Sequence, residues 1–140
     1  MNITLLLETI AKYEDNDQKV AMLKANNNNM TRWLVNALYN TDFSNFKIPD
    51  FNMPTEPRGQ SVTTLFRSLK QIDIAFYLRE EDAERSQRII RNVLENISKE
   101  EAELLIKVLH NKKIDGISKA VWKRAFPDFF RLEDETETME

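Results

Sequence analysis

Only two glycines and four prolines interrupt this 140-residue chain. Four of these six breakers crowd into one short segment, as Pro49, Pro54, Pro57 and Gly59. A β-sandwich or barrel needs turn residues every few positions along its whole length. Long stretches without breakers, with 31% charged residues, suit helices instead. The length is enough to bury a real core.

Apolar spacing carries the same message. Ile3, Leu6, Leu7 and Ile10 recur at helical intervals over residues 3–14, with Tyr13 a turn further on. Leu5 widens that face and predicts deep burial. Residues 14–17 are acids and Asn that end this helix and cap a second over about 17–25, with Val20 and Leu23 inward. The asparagine run 26–29 predicts a turn, because Asn competes for backbone groups. A third helix over about 30–39 has Met30, Trp33, Leu34, Ala37 and Leu38 as its stripe.

Ser61 is expected to open a long helix over about 62–79. Its stripe is Leu65, Leu69, Ile72 and Phe76, broadened by Phe66 and Ile74. The next helix, about 82–95, buries Ile89, Ile90, Val93 and Leu94 and turns Arg85, Arg88 and Arg91 outward. Ser98 and Glu101 form the Ser-x-x-Glu pattern of a capping box, opening a helix to about 111. A last short helix, about 118–126, stops at Pro127. The expectation is an all-α fold of six to seven helices in a single domain over residues 1–130. Residues 40–60 form one long aromatic and Pro-rich loop, pinned by Phe43, Phe46, Ile48, Phe51 and Met53. Residues 131–140 form an acidic, disordered tail.

Several function classes are set aside. The sequence has no cysteine and a single histidine, His110, so neither a thiolate nor a two-His metal site is expected. No cofactor and no small-molecule substrate are expected. The first fifteen residues lack a basic region and carry acids early, unlike a signal peptide. No apolar run is long enough for a membrane span. The expected setting is cytoplasmic.

The net charge of −3 speaks against strong non-specific binding of nucleic acid by bulk charge. The acids, however, are concentrated. Glu133, Asp134, Glu135, Glu137 and Glu140 fall in the last eight residues, which hold no base. Without them the formal charge is about +2.

Residues 112–119 read Lys-Lys-Ile-Asp-Gly-Ile-Ser-Lys. Lys113-Ile114-Asp115-Gly116 has the Lys-x-Asp-Gly form of nucleotidyl-transferring ligases, in which the lysine takes up AMP. Only 24 residues follow Gly116, too few to build a nucleotide pocket. Ser118 stands where that family carries Arg. The tetrapeptide reads better as a helix end. Lys112 and Lys113 complement the negative C-terminus of the preceding helix, Gly116 supplies the corner, and Ser118 caps the next helix. No catalytic residue is assigned.

The wider pattern resembles the all-helical N-terminal DNA-binding domain of ATP-dependent DNA ligases, in the short form of T-even-like bacteriophages. Leu6-Leu7-Glu8-Thr9-Ile10-Ala11, Gln18-Lys19 and Leu23 carry the resemblance at the start, and Gln60-Ser61 at the entry to the long helix. Lys112 to Trp122 and Phe126-Pro127 carry it at the end. It spans about residues 5–130. It implies a domain that grips duplex DNA, intact or nicked, through phosphates with little sequence preference. The catalytic domains of such ligases have no counterpart here. If the chain is phage-encoded, the compartment is the host cytoplasm. The residues expected at the DNA are Lys112, Lys113, Gly116, Ser118, Lys119 and Lys123 around the corner, with Arg58 and Gly59 as a second loop site. The rival reading is a protein-interaction module that binds a phage or host replication or repair protein.

Overall fold

In the computed structural model residues 2–130 are described; the acidic tail lies outside them. Among the described residues there are seven α-helices, two short 3-10 turns and no strand. The helices are α1 (Ile3–Ala11), α2 (Asn16–Ala25), α3 (Asn29–Tyr39), α4 (Leu69–Tyr77), α5 (Ala83–Asn96), α6 (Lys99–Leu109) and α7 (Lys119–Ala125). The all-α expectation holds. The chain divides into two compact units: one made of its two ends, up to Thr41 and from Lys113 on, and one made of Asp42–Lys112.

In the terminal unit α2 packs on both α1 and α7. α1 buries Ile3, Leu6, Leu7 and Ile10, as their spacing predicts, but Leu5 is exposed. The apolar face is therefore narrower than the run of leucines implies. The asparagine run is two caps back to back. Asn26 closes α2, and Asn28 opens α3 through a reciprocal box with Thr31. α3 buries Met30, Leu34, Val35, Ala37 and Leu38, while Trp33 is half-buried. α7 brings Val121 and Trp122 into the core, and Phe126 ends it ahead of Pro127.

The central unit differs most from expectation. Residues 62–65 are not helical. Helical structure begins with the 3-10 turn Phe66–Ser68, which leads directly into α4. The preceding chain bends at residues 61–63 and is held by one local and one long-range hydrogen bond. Ser61 donates its hydroxyl to Thr63 O at 2.6 Å, and Thr63 N donates to Asn96 O at 3.0 Å. Gln60-Ser61 is therefore not a helix entry, and the apolar period that includes Leu65 began too early. Phe66 and Ile74 are exposed rather than part of the core stripe.

The long segment before α4 is held, as expected, but by fewer aromatics. Phe43 and Phe46 are buried against Phe76 of α4, with ring centroids 5.1 and 6.1 Å away. Met53 stays exposed. The backbone is anchored by side chains of α5: Arg91 Nε donates to Asp50 O at 3.0 Å, and Glu95 accepts from Asn52 N at 2.7 Å. Two donations from Ser44 hold the Asp42 carboxyl below its ordinary value.

Ser98 caps α6, but only half of the capping box forms. The Ser98 hydroxyl accepts from Glu101 N (3.3 Å) and donates to Glu101 Oε1 (3.0 Å). The second carboxyl oxygen does not return to the Ser98 backbone. It accepts from Leu65 N at 2.7 Å, where the Phe66–Tyr77 rod begins. Glu101 is only 2% exposed. Removing it strands a buried N–H and a buried hydroxyl, and an unmade buried hydrogen bond costs about 1–3 kcal/mol. Glu101→Ala should therefore destabilise the chain by roughly 2–4 kcal/mol in urea unfolding, far more than Glu103→Ala on the exposed face of α6.

Candidate nucleic-acid interface

The sequence places the end of α6 near Asn111, and the structure agrees. Asn111 adopts a left-handed φ of +58°. Its N–H bonds to Val108 O at 3.0 Å, and the next N–H, of Lys112, bonds to Lys107 O at 2.9 Å. That pair of bonds is a Schellman closure, with Asn in place of the usual Gly. Asn111 Oδ1 also accepts from Phe43 N at 3.0 Å. The corner of the sequence is thus two features, a helix end at Asn111 and a separate turn at Gly116.

Gly116 has φ +82°. A Cβ built there would lie 2.7 Å from Ala11 Cβ and 3.1 Å from its Cα. Two independent constraints exclude a side chain: the left-handed backbone and the contact with the end of α1. Lys19 of α2 clamps the turn, its Nζ donating to Gly116 O at 2.6 Å. On the other side Lys113 Nζ donates to Leu38 O near the C-terminal end of α3 and sits 4.5 Å from the centre of the Tyr39 ring. A cation there meets the negative end of the helix and the face of an aromatic ring. Ser118 Oγ accepts from Val121 N at 3.3 Å and opens α7.

Together these residues line a pocket of about 640 Å³ within the terminal unit. Lys19, Lys113 and Lys119 reach it from α2, the turn and α7, with Tyr39, Asp115 and Ser118 also in its wall. Three cations and one acid give it a positive excess. Burial pushes the Lys113 ammonium below its ordinary value, and repulsion from Lys119 adds to that.

Of the residues expected at the DNA, Lys113, Gly116, Ser118 and Lys119 come together here. Lys123 does not present itself as expected. It is 8% exposed, on the side of α7 that faces the core with Val121 and Trp122. Arg124, its neighbour, is spent on Asp17 of α2 at 2.7 Å. Lys112, Arg58 and Gly59 belong to the central unit. Gly59 sits in a tight turn closed by Gln60 N to Pro57 O at 3.1 Å, with φ +83° and open space where a Cβ would point. That turn does not lead into a helix, so the expected helix-start site there is absent. α7 has seven residues and uses the Val121 amide on its own cap. The attraction for an anion therefore rests on the lysines rather than on a helix dipole.

Sequence reading missed Lys19 and Tyr39 as members of the pocket. Lys19 lies 97 residues from Gly116, and no local pattern links the two. No known protein family, curated protein or solved structure matches the chain.

Two outcomes follow. Gly116→Ala should destabilise the chain by about 2 kcal/mol or more, from left-handed strain plus the clash with Ala11, whereas Gly59→Ala should cost only the backbone strain; thermal unfolding compares them. Lys119→Ala removes the repulsion and should raise the Lys113 pKa while burial still keeps it below the ordinary value. Because the folded chain disfavours the Lys113 ammonium, stability should rise as pH climbs through that depressed value, and less so in Lys119→Ala. An NMR titration of the lysine side chains measures the pKa.

Proposed function

We propose that this chain is a non-catalytic DNA-binding module that takes hold of intact or nicked duplex DNA through its phosphates, with little sequence preference. The observation that carries the reading is the convergence of Lys19, Lys113 and Lys119 on one pocket, from three separate elements. Burial and the neighbouring Lys119 disfavour the Lys113 ammonium, and a counter-charge beside it would offset both. A phosphate supplies one and would raise the Lys113 pKa on binding. The resemblance to the DNA-binding domain of phage-type ligases supports the same partner, since the residues that carry it include Lys19 and the 112–122 stretch.

The enzyme reading of Lys113-Ile114-Asp115-Gly116 is weaker. A nucleophilic lysine needs its amine lone pair aimed at a nucleotide. Here the amine is engaged with Leu38 O and the Tyr39 ring. Its lowered pKa follows from burial first and requires no catalytic role. Incubation with labelled ATP and Mg²⁺ should leave no covalent label on Lys113.

Mobility shifts at low salt test the binding. Charge reversal at Lys19 and Lys119 should weaken binding to every duplex sequence alike. Three phosphate contacts imply a loss of about 40-fold in affinity between 50 and 200 mM salt; no shift on intact or nicked duplex would end the reading. The rival, a protein-interaction module, draws on the net charge of −3 and the acids at 133–140. Deleting residues 132–140 should raise DNA affinity if DNA is the partner.

A further inference from the structure

The described chain ends beside the lysine pocket. Phe129 O accepts from Asn40 Nδ2 at 2.8 Å, just past the end of α3. The Phe129 ring lies 6.1 Å from the Phe126 ring and 5.8 Å from the Arg32 guanidinium. Phe130 then rests against Tyr39, with ring centroids 5.4 Å apart. Tyr39 is itself part of the pocket wall and has the Lys113 ammonium 4.5 Å from its ring centre. The following residues therefore start from a fixed point, one aromatic ring away from the pocket's buried cation.

Those residues are the acidic ones. Glu133, Asp134 and Glu135 stand three, four and five positions beyond Phe130. Three extended residues span up to about 10 Å. Phe130 and the Lys113 ammonium are no further apart than that across Tyr39. The charges also match. Lys19, Lys113 and Lys119 outnumber Asp115 in the pocket wall, and the three acids are consecutive. Lys19 and Lys113 each give one N–H to a backbone carbonyl. An ammonium has three, so both keep donors for a carboxylate. A segment tethered this closely meets its site at an effective concentration on the order of millimolar. Ion pairs too weak to hold a free peptide suffice at that concentration.

We propose that residues 133–135 are the resident occupant of the lysine pocket, an acidic segment of the same chain that a duplex phosphate must displace. The contact itself needs no DNA; its action as a brake on DNA rests on the binding proposed above.

The chain has no cysteine, so Glu137→Cys gives a single attachment point for a nitroxide label. At about 50 mM salt the label should broaden the NMR signals of the Lys19, Lys113 and Lys119 side chains. A Glu133→Gln, Asp134→Asn, Glu135→Gln variant with the same label should lose that broadening by about threefold or more, and raised salt should act likewise. Equal broadening with and without the three charges overturns the proposal. Mobility shifts with the unlabelled proteins supply the second arm. The neutralised variant should bind duplex DNA about tenfold more tightly than the wild type at about 50 mM salt. Equal DNA affinity together with equal broadening removes the segment from the pocket and leaves DNA binding standing. Equal affinity despite lost broadening overturns the brake. No shift with either protein, while neutralisation still abolishes the broadening, ends the DNA reading and supports the acids as the occupant.

Discussion

A missing side chain at Gly116 is the constraint on which the basic surface of the terminal unit depends. The turn sits so close to Ala11 that a methyl group would overlap it. Seated there, the turn offers its carbonyl to Lys19 and leads Lys113 back toward the end of α3. Ser118 then starts α7, which carries Lys119. Lysines are flexible and lose much freedom when they grip a ligand. Lys19 and Lys113 are already held by backbone carbonyls, so part of that loss falls on folding rather than on binding.

The same economy of side chains organises the central unit. A long stretch without helical hydrogen bonds leaves backbone groups to satisfy. Glu95, Arg91 and Glu101, which on a helical wheel look like ordinary solvated charges, provide partners for it. Glu101 is the most consequential, because it closes the start of α6 and receives the first amide of the rod that ends in α4. The exposed side of that rod is what remains after Ile72 and Ala75 are committed to the core.

Much of the fold is legible in the sequence where local rules decide. Six to seven helices, a break over residues 26–29, the Ser98 cap, the end at Asn111 and the stop before Pro127 all follow from spacing and capping chemistry. The errors share a cause. Leu65, Phe66 and Ile74 keep a helical period, yet helical structure begins only at Phe66, and the chain before it takes hydrogen bonds from Asn96 and Glu101. Periodicity is blind to such distant partners. The site shows the same division. Lys113, Gly116, Ser118 and Lys119 are near neighbours in sequence and were found together, whereas Lys19 and Tyr39 join them only through tertiary packing. Lys123 misled because charge alone suggests a surface position, while its place on α7 puts it on the buried side.

The central claim is that a phosphate backbone settles among Lys19, Lys113 and Lys119. Amide and lysine side-chain NMR signals, followed while a short nicked duplex is added, test this most directly. The account predicts saturable shifts at Lys19, Tyr39 and residues 113–119, the Lys113 and Lys119 side chains among them. Shifts absent from these residues, or saturating only on the exposed face of α4, would contradict it.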